Sequence, residues 1–521
     1  MAAEAGVADR LKEPWRTRLR EAAVPAFAGG VVMASSLINF LNHNQYPLLR
    51  PEIGLLAAAL LAIVLLMGLL YAAGGRIVRM VLQVLLVYVA LDLNFDGLLV
   101  PIATIGIVVV LQRQLMPFVA VGASVVLLTV LAGIAIAERG SDETSRPNAA
   151  ERRSDLPVLV HLILDEHIGI EGLLADMPVP EAAAMGQTLK HFYLDRGFRL
   201  FGGAYSEHIR TVNAIPQVLN FGKEQPWNPS NRNRSTLSSN AYFDRLGAAG
   251  YRIRVMQTDY MDYCENEFVV RCETRRAAEL TAVASAPLSS AEKADIIAGE
   301  FAKLSGALLA PAKAYHSAVY PSQVLAIPPL GPLAALDRLV ERLRVARPGS
   351  AYFVHELLPH TPYALGKDCR LHERSAWRDQ SNGPRRERMA AYLDQIACLK
   401  TKLAAIIEAA GPNTILVVQG DHGSRITNVA PGVETSGAFD DSDLIAGHST
   451  LFAIRAPDIT SGYERRALPI AEILRRFAMS DFRSANVSIP PDFVPSVVLE
   501  DSRWKPAKRH PLPETWPAPE H

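Results

Sequence analysis

A bundle of about five transmembrane helices, followed by a water-soluble α/β sandwich with a largely parallel central sheet, is the architecture this 521-residue sequence predicts. Three observations carry the expectation. Long uncharged apolar runs crowd into the first 140 residues. The remainder alternates short, strongly apolar strand-like segments with amphipathic helical ones, the pattern of a parallel sheet with crossover helices. Charge is balanced, 53 basic residues against 53 acidic, so no electrostatic footprint for nucleic acid is present.

The apolar runs set the membrane part. Ile53 to Ala73 is 21 residues without a charge, enough at 1.5 Å per residue to cross a hydrocarbon core of about 30 Å. Leu115 to Ala137 is a second run, of 23, and Ala22 to Leu41 a third, interrupted by Pro25, Ser35, Ser36 and Asn39. Ile77 to Leu91 and Leu98 to Leu111 are shorter, with Asp92, Asn94 and Asp96 between them. They read as two further spans joined by a polar turn, Arg79 snorkelling toward the interface. A re-entrant pair is the alternative, and it leaves the parity unchanged.

Charge then orients the bundle. Arg10, Lys12, Arg16, Arg18 and Arg20 precede the first run, Arg76 and Arg79 follow the second, and Arg113 follows the fourth. Five spans put all of these on the cytoplasmic side. An odd number places everything after residue 138 outside the cytoplasm. So long a bundle behind a charged N-terminus does not read as a cleaved signal peptide. The domains expected are therefore a transmembrane part at 1–138, a polar linker at 139–155, a soluble domain at 156–480 and a Pro-rich, charged tail at 481–521.

All four cysteines, Cys264, Cys272, Cys369 and Cys398, fall in the soluble part. An oxidising compartment permits them to pair. Of the three pairings that four cysteines allow, proximity favours Cys264–Cys272, leaving Cys369–Cys398.

Within the soluble part, Val158 to Leu164 reads as a buried strand ending at Asp165-Glu166. Helical patterns follow at 179–194 and at Ser238 to Ala249, then a strand at Tyr251 to Met256. Leu333 to Val345 is helical and Ala351 to His355 the next strand. Arg385 to Ala410 is a long helix stopped by Gly411-Pro412. Thr414 to Val418 is a strand running into Gly420-Asp421-His422-Gly423. A strand at Thr450 to Ile454 and a helix at 467–477 complete the alternation.

Function in open α/β sheets gathers beyond the C-terminal ends of strands. Two strands here end in groups that bind metal. Asp165 and Glu166 close one; Asp421 and His422 close the other, with Gly423 expected to let the chain turn tightly. Carboxylates with an imidazole suit zinc or manganese, with magnesium or calcium as harder alternatives. A third element is Thr211, ahead of the helically spaced Ile215, Val218 and Leu219, with Pro216 read as part of the first turn. A hydroxyl at a helix start can meet a phosphate held by free backbone N–H groups, and metal ligation would activate it as a nucleophile. On its own, Thr211 would be a plain N-cap. The fourth element is Phe353 to Tyr363, where His355 and His360 leave a strand beside two prolines. His360 lies beyond the strand and can contact a phosphoryl oxygen or protonate a leaving group; His355 is expected to be structural.

This order of acidic strand end, threonine, histidine loop and Asp-His-Gly resembles the alkaline phosphatase and sulfatase superfamily, above all its membrane-anchored lipoteichoic acid synthases and phosphoethanolamine or phosphoglycerol transferases. The resemblance spans about residues 155–480 and the anchor layout. It implies a sandwich of alkaline phosphatase and sulfatase type, outside the inner (plasma) membrane of a bacterium. It implies Thr211 as nucleophile, with Asp165, Glu166, Thr211, Asp421 and His422 around one divalent metal ion. His360 would face the substrate, Arg425 would meet its anions, and His448, in Gly-His-Ser-Thr, is an additional substrate-side nominee.

The departures narrow the chemistry. Formylglycine sulfatases mature a Cys or Ser in C/S-x-P-x-R, and Thr211-Val-Asn-Ala-Ile offers neither residue nor context. A two-zinc phosphatase site needs more Asp and His ligands than these motifs place, His448 being the one extra histidine nominated. The reading is thus ping-pong transfer of a phospho-group, phosphoethanolamine- or phosphoglycerol-like, through a phospho-threonine, with a membrane lipid as donor or acceptor and an envelope glycan or lipid as acceptor. A membrane-anchored phosphodiesterase or phosphatase is the nearest alternative, and a non-catalytic sensing or structural protein a third. The sequence leaves the oligomeric state open.

Overall fold

The computed structural model describes the chain apart from residues 1, 91–98, 112–116, 118, 123, 126, 129–143, 146–154, 176, 225–234, 276–278, 303–328, 381–382, 488–491 and 517–521. The chain forms two compact units: Met1–Ser141 with Leu280–Leu325, and Asp142–Glu279 with Ala326–His521.

Helices Ala2–His43, Pro51–Ala73, Arg76–Ala90 and Leu99–Leu111 belong to the first unit. Among the described residues two helices are long and apolar enough to cross a membrane, Glu21–His43 and Pro51–Ala73. The expectation of about five spans is corrected to that extent. Arg76–Ala90 and Leu99–Leu111 are helical over 15 and 13 described residues, each bordering residues outside the described ones. The run from Leu115 to Ala137 lies largely outside the described residues, as does the polar turn at 92–96. Arg79 does not simply snorkel: it donates to the Tyr71 carbonyl at 2.9 Å and pairs with Glu21 at 2.9 Å. Helices Leu280–Ser285 and Ser290–Ala302 group with this unit, although they fall inside the stretch expected to be one soluble domain. Phe301 packs on Phe40 with ring centroids 5.6 Å apart.

In the second unit the described strands are β1 (Thr144–Ser145), β2 (Leu159–Leu164), β3 (Arg199–Phe201), β4 (Ala204–Tyr205), β5 (Ser235–Thr236), β6 (Arg252–Thr258), β7 (Met261–Asp262), β8 (Val269–Arg275), β9 (Ser350–Glu356), β10 (Ile415–Gly420), β11 (Phe452–Arg455), β12 (Gly462–Glu464), β13 (Leu468–Pro469), β14 (Ser496–Glu500) and β15 (Pro506–Pro511). Nine form one sheet in the order β1-β8-β6-β9-β2-β10-β11-β3-β12. Its centre, β8-β6-β9-β2-β10, is parallel, and β11 and β1 enter antiparallel. Part of the segment expected to be a linker is therefore a sheet edge.

Side-chain alternation explains the layers. On β2, Val160, Leu162 and Leu164 enter one core and Leu159 and Ile163 the other, as the period of two in a strand requires. The first core is closed by Leu189, Leu336, Leu339, Ile396, Leu399 and Leu403, from helices Glu181–Leu194, Leu330–Arg344 and Arg385–Ala410. The second is closed by helices Thr211–Leu219, Ala241–Ala249 and Ile470–Met479. Asn240 accepts from the Phe243 N–H at 2.8 Å and Gly250, at φ 95°, ends that helix. The cap and the left-handed glycine set its bounds later than the start expected at Ser238.

Both expected cystine pairs are present, Cys264–Cys272 and Cys369–Cys398. The C-terminal segment is built into the unit as the β14–β15 hairpin. Val497 and Leu512 from it, with Trp516, are buried against Tyr205, Leu444 and Ile445.

Candidate metal-binding active site

Strand register assembles the site. In the parallel ladders Leu164 lies opposite Gly420 on one side and Glu356 on the other. The residues that follow, Asp165 and Asp421, therefore leave neighbouring strand ends together. The Glu166 N–H and the His422 N–H both donate to Asp421 Oδ1, at 3.0 and 2.9 Å. Glycine is required on this turn because the backbone is crowded. A Cβ on Gly420 would meet the His167 carbonyl and the Thr450 hydroxyl, and one on Gly423 would meet the Ala446 carbonyl. Gly423 serves the turn through this close approach, and φ is positive two residues on, at Arg425, 53°.

Thr211 reaches the same point from the second core's layer. It is the first residue of its helix, after Arg210 as N-cap. Its hydroxyl donates to Asp165 Oδ2 at 3.2 Å and lies 3.2 Å from His422 Nε2. The hydroxyl therefore does not cap the helix. Pro216 sits inside the helix and not in its first turn.

Asp165, Asp421 and His422 are fully buried, and each offers one ligand atom within 4.8 Å of the others. His422 Nδ1 is 2.9 Å from the Gly423 carbonyl. Donation there leaves Nε2 with its lone pair toward the carboxylates, the arrangement of a ligating histidine. Asp165 Oδ1, Asp421 Oδ2 and His355 Nε2 have no hydrogen-bond partner although buried. Buried orphans of this kind are costly, and a cation would satisfy them. The donor set of carboxylates, imidazole and hydroxyl fits a divalent metal.

The electrostatics agree. Burial raises the Asp421 carboxyl and the charge of Asp165 beside it raises it further, against His422 and His355. Burial acts the same way on Asp165, but His360, His355 and His422 outweigh it and hold that carboxyl below its ordinary value. Two adjacent buried carboxylates resist ionising together, and a dication relieves the conflict.

Glu166 faces elsewhere. Oε1 pairs with Arg425, whose Nε donates at 3.0 Å, and accepts from Gln380; Oε2 accepts from the Tyr363 hydroxyl at 3.2 Å. Asp165, Glu166 and His360 form a second group of candidate ligand atoms within 4.8 Å. His360 Nε2 is 3.5 Å from Glu166 Oε1 and its side chain is about a quarter exposed, at 26%. Burial lowers His360, yet Glu166 and Asp165 raise it by more. Arg425 is held firmly protonated, its burial outweighed by Glu166. It is a partly buried residue tied to the site and not a free surface cation.

His355 lies within β9, fully buried, and its Nε2 is 3.8 Å from Asp165 Oδ2, with the Tyr263 hydroxyl 3.3 Å from Nδ1. Alternation along β9 puts His355 on the Thr211 side of the sheet, a signal legible only once the direction of the strand is known. His448 is fully buried with Nδ1 on the Ser206 carbonyl at 3.0 Å, and burial pushes it down to about 3. It belongs to neither ligand group. Tyr363, which holds Glu166, closes the histidine loop singled out in the sequence, whereas Gln380, its other partner, carried no signal.

No protein-family model matches the chain, and no curated protein matches it in sequence. Solved structures do match. The zinc complex of the C-terminal periplasmic domain of EptC from Escherichia coli is 15% identical, covering 66% of this chain and 85% of that one, at a TM-score of 0.35. The phosphonate monoester hydrolase of Agrobacterium radiobacter is 12% identical over 66% and 81%, at 0.38. The lipoteichoic acid synthase LtaP of Listeria monocytogenes is 11% identical over 61% and 70%, at 0.34. The chain is similar to these three structures at 11–15% identity.

Proposed function

We propose that this chain is a membrane-anchored, metal-dependent phosphotransferase, with Thr211 as its nucleophile and a phospholipid-like diester as donor. The observation that carries the reading is the Thr211 hydroxyl held 3.2 Å from both Asp165 and His422 at the joined ends of β2 and β10. A divalent ion, zinc or manganese by its donor set, held by Asp165, Asp421, His422 and the Thr211 oxygen, would lower the hydroxyl's pKa and neutralise charge at phosphorus.

The residues then divide the work. Thr211 Oγ attacks phosphorus, its proton passing to the carboxylate it already bonds, Asp165. The bond from phosphorus to the lipid alcohol breaks, and His360, whose protonated form Glu166 and Asp165 favour, gives that alcohol a proton. Arg425 orients the non-bridging oxygens while Glu166 fixes Arg425. The phosphate ester on Thr211 is then attacked by an acceptor hydroxyl, deprotonated by His360, and Thr211 recovers its proton. The helices Glu21–His43 and Pro51–Ala73 support a donor in the bilayer, and the two cystines support a catalytic unit in an oxidising compartment outside the cytoplasm, with an envelope glycan or lipid as acceptor.

The test uses the full chain in proteoliposomes with headgroup-labelled phospholipid and manganese or zinc. Label should appear on Thr211 in quenched samples and then on a glycan or lipid acceptor. Label released only to water would make the chain a phosphodiesterase with the same intermediate. A Thr211→Ala chain that turns over like wild type would sink the reading.

A further inference from the structure

Beyond the metal cluster, a second set of buried polar groups surrounds Thr211, and it is organised by the last strand pair of the chain. Glu500 ends β14 and its carboxylate is 1% exposed. Oε1 accepts from Asn213 Nδ2 at 2.8 Å and lies 3.0 Å from His208 Nδ1. Oε2 pairs with Arg210 Nε at 2.9 Å. One carboxylate thus holds residues on both sides of Thr211. The loop that follows Glu500 adds two contacts. Asn213 donates to the Trp504 carbonyl at 2.8 Å, and the Arg210 guanidinium stacks over the Trp504 ring at 4.8 Å. Arg210 remains about a third exposed, at 31%, and its charge acts on Arg425 and Tyr260, which flank the cluster.

We propose that the C-terminal β14–β15 hairpin completes the active site: Glu500 is a positioning residue for the Thr211 segment, and Trp504 holds Arg210 as a second cation for the anionic substrate. The proposal rests on the phosphotransfer reading. The physical argument is one of constraint. Thr211 is the first residue of its helix, where backbone amides lack intrahelical partners and the end can fray. Interior Pro216 removes a further helical hydrogen bond. Metal ligation constrains the Thr211 oxygen but not the backbone that aims it. Glu500 supplies that constraint through three side chains at once, from a strand that is itself fastened: the Val498 N–H donates to the Glu207 carbonyl at 2.8 Å. Arg210 leaves its outer N–H groups available while its inner edge is neutralised, which suits a planar cation to a phosphate oxygen.

The experiment compares full-length wild type, Glu500→Gln, Trp504→Ala and Thr211→Ala in detergent with manganese, using bis(4-nitrophenyl) phosphate as probe. Amide hydrogen exchange is read on peptides covering 208–219 and 415–420. Glu500→Gln should lose kcat by about tenfold or more, with KM within about twofold, because misplacing a nucleophile by an ångström is that costly. Its 208–219 peptide should exchange faster while 415–420 is unchanged. Trp504→Ala should raise KM several-fold and leave kcat nearly intact. A Glu500→Gln chain with wild-type turnover and exchange overturns the inference, and so does equal loosening of 415–420, which marks a purely structural role. Exchange is independent of turnover. A wild type with no diesterase activity but a locally loosened Glu500→Gln chain would overturn the phosphotransfer reading while upholding the anchoring of the Thr211 segment.

Discussion

Asp165 and Asp421 follow strand residues that face each other in parallel register, Leu164 against Gly420, and both carboxylates are fully buried. Two like charges are thereby forced together at a sheet end where neighbouring strands lie about 4.8 Å apart. Thr211 and His422 close the remaining sides. The predictions below follow from this geometry.

Removing the Thr211 hydroxyl should abolish diester turnover. Thr211→Ala is expected to lose roughly 10³-fold or more in kcat, as nucleophile deletions do, while melting close to wild type. Intact-mass spectrometry of quenched reactions should show the phospho-adduct on wild type and none on the variant.

A chelator should remove both activity and stability. Metal at 100 times its Kd contributes about 2.7 kcal/mol to a folded chain, so the melting temperature should fall on chelation and recover on adding zinc or manganese. Asp421→Asn should need more metal for half-recovery. A chelator-treated wild type that melts unchanged would count against the site.

His360→Ala should depend on the leaving group. With an alkyl alcohol leaving, loss of the general acid should cost about 10²-fold or more in kcat. With 4-nitrophenolate, which leaves without a proton, the loss should be much smaller. Equal losses on both substrates would argue against proton donation.

Alkaline pH should loosen the segment before Thr211. Burial lowers His208, but hydrogen bonds to Glu224 and Glu500 carry it up to about 9, so the folded chain binds its proton more tightly than the unfolded one. That stabilisation is complete below the unfolded value of about 6.5 and is lost as pH rises through about 9. Melting temperature should decline across that window. His208→Gln should flatten the decline.

Crowding at the Asp-His-Gly turn makes a steric prediction. Gly423→Ala would drive a methyl into the Ala446 carbonyl, and overpacking of this kind costs about 1–3 kcal/mol. A lowered melting temperature with weakened metal recovery is expected.

Much of this was legible before any coordinates. The apolar runs, the alternation of strands and helices, and the chemistry of Asp165, Asp421 and His422 are local properties, written in composition and in period. The cystines were legible too, since two cysteines eight residues apart, Cys264 and Cys272, have few other partners. Of the five expected spans, two are long and apolar enough to cross a membrane among the described residues, Glu21–His43 and Pro51–Ala73.

The sequence by itself determined that an apolar helical part precedes an α/β unit, and which side chains could carry metal and phosphorus chemistry, because hydrophobic periodicity and donor type are properties of the residues themselves. Only the tertiary structure decided which of them meet. His355 comes within 3.8 Å of Asp165 because β9 lies beside β2 in register. Glu166, at φ 66°, meets Arg425 from 259 residues away in the chain. Glu500 reached the Thr211 segment from 289 residues away. Register, handed backbone and long-range docking are set by the whole packed core, and a linear pattern does not encode them locally.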